Sequence, residues 1–183
     1  MPLDHVFVPM TRADHLLFAD WLSQPHIDGW WGNAQTELAL VEEDMAHGPT
    51  DMRMVTLNGH SLAYIQDYPA HHWPAHHWPA PHFADQPRDA RAIETFPGDP
   101  DYLGQGHAKT CICQRAAQLV QQRTVVLTDP DPHNMRALAT YSAAGSIALD
   151  TRHCEDGDRV VVMQLCCLTP FILQDKPHGG VGV

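Results

Sequence analysis

Tyr102-Leu103-Gly104-Gln105-Gly106-His107-Ala108-Lys109-Thr110 decides how the rest of this chain is read. Two glycines one residue apart permit a sharp backbone turn and leave no Cβ to keep a ligand away. Behind them Ile112, Ala116, Leu119 and Val120 fall at i, i+4, i+7 and i+8, one face of an amphipathic helix. A glycine turn that opens a helix gathers unpaired N–H groups and the positive end of the helix dipole at one point. Such a point suits an anion, usually a phosphate. Gly-x-Gly turns also occur in plain loops, so the stretch needs support from its neighbours.

Upstream, His5 to Met10 reads as a first strand. Thr11 and Asp14 resemble a capping box, and the helix they open carries the i, i+4 pairs Leu17/Trp21 and Phe18/Leu22 before Pro25 stops it. The following loop holds Trp30 and Trp31; one of two adjacent tryptophans can pack inward, leaving the other as a flat wall for a ligand. Residues 35–47 suit a short helix with Glu42, Glu43 and Asp44 as its solvated face. Met52 to Leu57 and Ser61 to Tyr68 are two strands joined by an Asn58-Gly59 hairpin turn. Leu62, Tyr64, Gln66 and Tyr68 share one face of the second strand, and Ala63, Ile65 and Asp67 share the other.

The sequence His-His-Trp-Pro-Ala occurs at 71–75 and again at 76–80, and residues 69–90 as a whole read as a histidine- and proline-rich surface loop inserted into the pattern. Adjacent imidazoles on an extended chain point apart, and no nearby cysteine completes a zinc spacing, so no metal centre is expected. Arg91 to Phe96 reads as a strand leading into the glycine turn, and Thr124 to Thr128 as a buried one. Asp131 suits the N-cap, and Pro132 the first turn, of a further helix running through Tyr141 to Gly145. Ile147–Asp150 and Arg159–Cys167 complete the strands, and residues 169–183 are expected to be a flexible tail.

The chain has 183 residues, 22 acidic and 11 basic, for a net charge of −11. A deficit of Lys and Arg argues against a nucleic-acid partner. The absence of a long apolar run argues against a membrane span. Met-Pro-Leu-Asp carries no basic stretch or hydrophobic segment, so no leader is expected. Five cysteines without a CxxC pair fit reduced thiols in a cytoplasmic protein.

The order is strand, helix, helix, three strands, helix, strand, helix, two strands. With it stand Trp21-Leu22, Pro25-His26-Ile27 and Trp30-Trp31-Gly32; Tyr64-Ile65-Gln66-Asp67-Tyr68; Ala92-Ile93-Glu94; Leu103 to Ala108; Thr128-Asp129-Pro130 with Asn134; and Tyr141 to Gly145. In this order and spacing the chain resembles the GCN5-related N-acetyltransferase (GNAT) superfamily over about residues 5–165, and within it the aminoglycoside 6'-N-acetyltransferases. The resemblance implies an α/β (α+β) fold, a mixed, mostly antiparallel sheet of six to seven strands flanked by about four helices, spanning residues 1–168. It implies acetyl-CoA as acetyl donor. Backbone groups of Gly104, Gln105, Gly106, His107, Ala108 and Lys109 would hold the pyrophosphate, with Phe96 and Asn134 also on the cofactor side. The pantetheine arm would lie between the strands at 91–96 and 124–128.

By the same resemblance Tyr141 is the general acid for the departing thiolate and Glu94 the general base. Trp30, Trp31, Asp67, Tyr68 and Asp129 would contact a small amine acceptor, with no metal and with a monomer or homodimer as the working form. Leu103 stands where the family usually has Arg or Gln, Ala108 where it has a second glycine, and Ser146 where Phe usually follows the glycine. Pro97 removes one N–H from the cofactor-pairing strand. The reaction itself asks for these groups: an alkyl amine is mostly protonated at neutral pH, only its neutral form attacks a thioester, and a carboxylate must take the proton. Alternatives within the same resemblance are a siderophore-biosynthesis acyltransferase and a degenerate domain that binds CoA without catalysis.

Overall fold

The computed structural model describes residues 4–72, 80–121 and 125–166. Within them seven strands form one sheet in the order β1-β2-β3-β4-β5-β7-β6, with four α-helices. β1 is Val6–Pro9, and Thr11 and Asp14 close the expected capping box ahead of α1, His15–Leu22. α2 is Ala34–His47, opened by Asn33, whose side chain accepts from the Thr36 N–H. β2, Asp51–Leu57, returns as β3, His60–Pro69, through Asn58 and Gly59 at φ +52° and +81°. Both values are what a two-residue hairpin turn demands. β4 (Arg91–Pro97), α3 (His107–Val120), β5 (Val126–Thr128), α4 (Met135–Ala143), β6 (Ser146–His153) and β7 (Arg159–Leu165) follow.

β3 is buried on both faces from Leu62 to Tyr68, which makes it the spine of the sheet. Its alternation sorts the core. Ala63 and Ile65 pack with Ile112, Ala116 and Leu119 of α3, while Tyr64 packs with Phe18, Trp21 and Phe96 under α1 and α2. Burial of each of the larger ones, such as Ile65, Ile112, Leu119 and Phe18, contributes about 1.5–3 kcal/mol.

β4 and β5 run parallel and pair only at Arg91↔Val126 and Ala92↔Leu127. β5 then ends at Thr128 while β4 continues to Pro97. The two strands therefore part, and the far end of β4 presents one edge to an opening rather than to a neighbour.

Three expectations are corrected. The fourth helix starts at Met135 with Asn134 as its cap, because Asp131 accepts from the His133 N–H at 2.6 Å and spends Asp131–His133 on a separate turn. β6 extends to His153, paired across its length with β7. Residues 80–90 are a loop anchored in the core and not wholly at the surface: Ala80, Phe83 and Ala90 are buried with Tyr68, Leu127 and Val162, and His82 is buried too, while Pro81, Ala84, Asp85 and residues 87–89 are exposed. The remaining part of the histidine repeat, 73–79, and the 169–183 tail lie outside the described residues.

Candidate active site

The glycine turn is built as its sequence requires. Gly104 and Gly106 hold φ of +73° and +83°, in the left-handed region that disfavours side chains. A Cβ at either position would meet no atom within 4 Å, so the turn faces open space. Gly106 is the N-cap of α3, and the first helical bond runs from the Thr110 N–H to the Gly106 carbonyl. The N–H groups of His107, Ala108 and Lys109 precede that bond and point out of the helix end. The turn is braced from behind, where Gln105 donates to the Asp101 carbonyl at 2.6 Å and His5 and His107 share a ring hydrogen bond of 3.0 Å. Gln105 is thereby turned away; its side chain lines neither cavity described below.

A cavity of about 470 Å³ runs from this turn past Phe96 and Pro97 to Tyr141. Its floor is the free edge of β4. Gly98, like the other even-numbered residues, turns its peptide to β3, donating to the Leu62 carbonyl at 2.9 Å, and Arg91 turns the other way, donating to Val125 at 2.9 Å. Alternation therefore aims the Thr95 N–H and C=O into the opening. Phe96, expected on the cofactor side, pairs with Tyr64 through its backbone and gives the cavity its ring. The Pro97 carbonyl is occupied by His26 Nε2 at 2.7 Å.

A second cavity, of about 340 Å³, opens on the α2 side. Trp30, Trp31, Thr95, Asn134, Ala137 and Tyr141 line both, so the two meet at Tyr141. Trp31 packs inward on Phe96 and Tyr64 while Trp30 stays 44% exposed, the division of labour the tryptophan pair was expected to show. Five carboxylates, Glu37, Asp44, Glu94, Asp129 and Asp131, line this second cavity, with no Lys or Arg among the described lining residues.

Glu94 is half-buried, gripped by Tyr68 (hydroxyl to Oε1, 2.7 Å) and Gln66 (Nε2 to Oε2, 2.6 Å), with the Tyr64 hydroxyl donating in turn to Gln66 at 2.7 Å. Burial, then the nearby Asp129 charge, push its carboxyl up to about 7, against the pull of those two hydrogen bonds. Burial likewise raises the Tyr141 hydroxyl, so that it remains protonated, with Thr128 as hydrogen-bonding neighbour. Asp129 accepts from or shares a proton with His82 Nε2 at 2.9 Å.

Asp67 does not belong to this cavity. It is 1% exposed on the opposite face of β3, held by Arg115 Nε at 2.7 Å and Arg91 Nε at 2.5 Å, and its work is to tie α3 and β4 to the sheet. Tyr68 is likewise buried and reaches Glu94 rather than open space. Asp44, expected on a solvated face, is 4% exposed and lines the cavity. Glu37, Leu40, Val41 and Asp44 lie at i, i+3, i+4 and i+7, so the signal was present as two acids embedded in an apolar helix face. Gln66 was also missed, although its place beside Tyr64 and Tyr68 is set by strand alternation.

The free strand edge, the glycine cradle and the meeting of two cavities at a tyrosine define an acyl-transfer fold, and the chain belongs to the GNAT acetyltransferase family: the family model described as "Acetyltransferase (GNAT) domain" matches residues 11–152. Among particular proteins it is similar to aminoglycoside N(6')-acetyltransferase type 1 of Klebsiella pneumoniae, 29% identical over 167 residues that cover 85% of this chain and 80% of that protein. The Serratia marcescens protein of the same name matches to the same extent. The fold of this chain superposes on the structure of AAC(6')-Ib in complex with paromomycin and acetyl-CoA, with a TM-score of 0.73 and 26% identity over 88% of this chain and 92% of that one.

Proposed function

We propose that this enzyme transfers an acetyl group from acetyl-CoA to a primary amine of a small polycation of the aminoglycoside kind. The observation that carries the reading is the pairing of the two cavities: one begins at a helix N-terminus suited to phosphate, the other is walled by five carboxylates, and they join at Tyr141. The named relatives act on, or are bound to, ligands of those two kinds.

The residues present fit the donor. The open space in front of Gly104 and Gly106 would be filled by side chains at those positions, and the His107–Lys109 amides face it. The Thr95 peptide offers one N–H and one C=O to an extended arm laid along β4. Acetyl-CoA supplies an activated thioester when bound; the rest is done by the chain. Asp44, Glu37 and Asp129 draw in the cationic acceptor, and Trp30 gives it a flat wall. Glu94, poised at about 7, accepts the ammonium proton directly or through one water. The N–H that the Thr95 peptide offers the arm meets its acyl end, where it donates to charge developing on the acyl oxygen. Tyr141, held neutral by burial, donates to the departing sulfur. Fixing the two reactants in contact contributes on the order of 7–11 kcal/mol.

The test is a free-thiol assay with acetyl-CoA against a panel of acceptors: kanamycin-type aminoglycosides, spermidine and hydroxylamines. Thiol release with the aminoglycosides above the others supports the reading. Preference for hydroxylamines moves the chain to the siderophore-type branch, and coenzyme A binding without turnover moves it to a non-catalytic domain.

A further inference from the structure

The histidine segment contributes one side chain whose surroundings acetyl transfer does not explain. His82, 2% exposed, lies against Asp129, and Cys154 from the end of β6 completes a group whose ligand atoms all lie within 4.8 Å of one another. These three come from separate parts of the chain, which is why their spacing gave no sign of a metal centre. The His82 Nε2 to Asp129 Oδ2 distance of 2.9 Å is close to that between two ligands of one small cation. Cys154 is 6% exposed. The group is also held from outside. Arg152, two residues before Cys154, donates to the His82 carbonyl at 2.8 Å and grips both Asp85 oxygens at 2.5 and 2.8 Å, which fixes the 81–85 turn against β6.

We propose that His82, Asp129 and Cys154 form a zinc site on the wall of the acidic cavity. One imidazole, one carboxylate and one thiolate are the donor set of a borderline-soft dication. Asp129 lines the cavity, so the cation has an entry path and water can complete its coordination. A bound dication holds the cysteine sulfur as a thiolate, so binding releases the thiol proton. Occupancy also neutralises Asp129 towards the cavity and so opposes a cationic acceptor; this consequence rests on the function proposed above, whereas metal binding does not.

The experiment is titration of the reduced, chelator-treated chain with zinc chloride against a chromophoric zinc indicator. One zinc per chain is expected. Cys154→Ala and His82→Gln should each weaken it at least about tenfold, the usual cost of losing even an outer-shell partner. Replacing His71, His72, His76 and His77 together by Gln should leave it unchanged. An unaltered isotherm in Cys154→Ala, or loss of binding in the fourfold variant, overturns the proposal. Cobalt(II) added to the unsubstituted chain gives a second reading that needs no variant to fold: a thiolate-to-cobalt charge-transfer band is expected, and its absence contradicts the site.

Discussion

Gln66 and Glu94 stand directly opposite each other on β3 and β4, and the Gln66 amide donates to the Glu94 carboxylate at 2.6 Å. Strand register therefore fixes the proposed base, and the central sheet rather than a loop sets where the proton is taken. A base raised to about 7 and held so firmly gives a sharp kinetic signature. Below that pH kcat should fall about tenfold per unit, because protonated Glu94 cannot accept. Glu94→Gln should lower kcat by about 10²–10⁴-fold and remove that limb. A pH–rate profile of both proteins checks this.

The same group has a thermodynamic consequence. Its pKa rises from 4.5 in the unfolded chain to about 7 in the folded one, so the folded state holds the proton more tightly. Stability is full below the unfolded value and is lost as pH rises through the folded one, by at most on the order of 3 kcal/mol. Thermal midpoints measured from about pH 5 to 8 should decline more in the unsubstituted chain than in Glu94→Gln.

Tyr141→Phe removes only the hydroxyl at the junction of the cavities. We expect a fall in kcat of about 10²-fold or more, with coenzyme A affinity held within about threefold, since the ring still lines the cavity. Steady-state kinetics alongside a coenzyme A titration separate the two.

Gly106→Ala forces a side chain into the left-handed region at a cost of about 1–2 kcal/mol, with no clash to add to it. Coenzyme A affinity should fall by much more than that strain explains, because the methyl group enters the phosphate cradle. Calorimetric titration and a denaturant melt of the same variant measure both.

Asp67→Asn should act on folding instead. It weakens the charge-assisted bonds to Arg91 and to Arg115, whose side chain is 8% exposed and keeps Asp51 as its remaining carboxylate, and should cost about 2 kcal/mol while the acceptor KM of the folded enzyme is unchanged. A rise in acceptor KM without loss of stability would return Asp67 to the cavity.

What could be read from the sequence follows period and turn chemistry. Asn58-Gly59, the Thr11 capping box and the glycine turn before α3 each force a backbone conformation locally, and all three formed where expected. Side-chain destinations that depend on a distant partner were not legible. Asp67 looked like a substrate contact until Arg115 and Arg91 arrived from α3 and β4. Asp44 looked solvated because its two acidic neighbours are. His82 follows a repeat whose composition suggests a loop, yet Phe83 beside it anchors the turn in the core. Asp131 was expected as the cap because prolines flank it, but the helix begins later and Asn134 takes that place.

The most direct test of the central claim is thiol release from acetyl-CoA in the presence of kanamycin, with the product weighed by mass spectrometry. The account predicts one thiol released for each acetyl group gained by the amine, and loss of both in Glu94→Gln. Coenzyme A bound at the glycine turn with no acetylated amine formed, or equal turnover in Glu94→Gln, would contradict it.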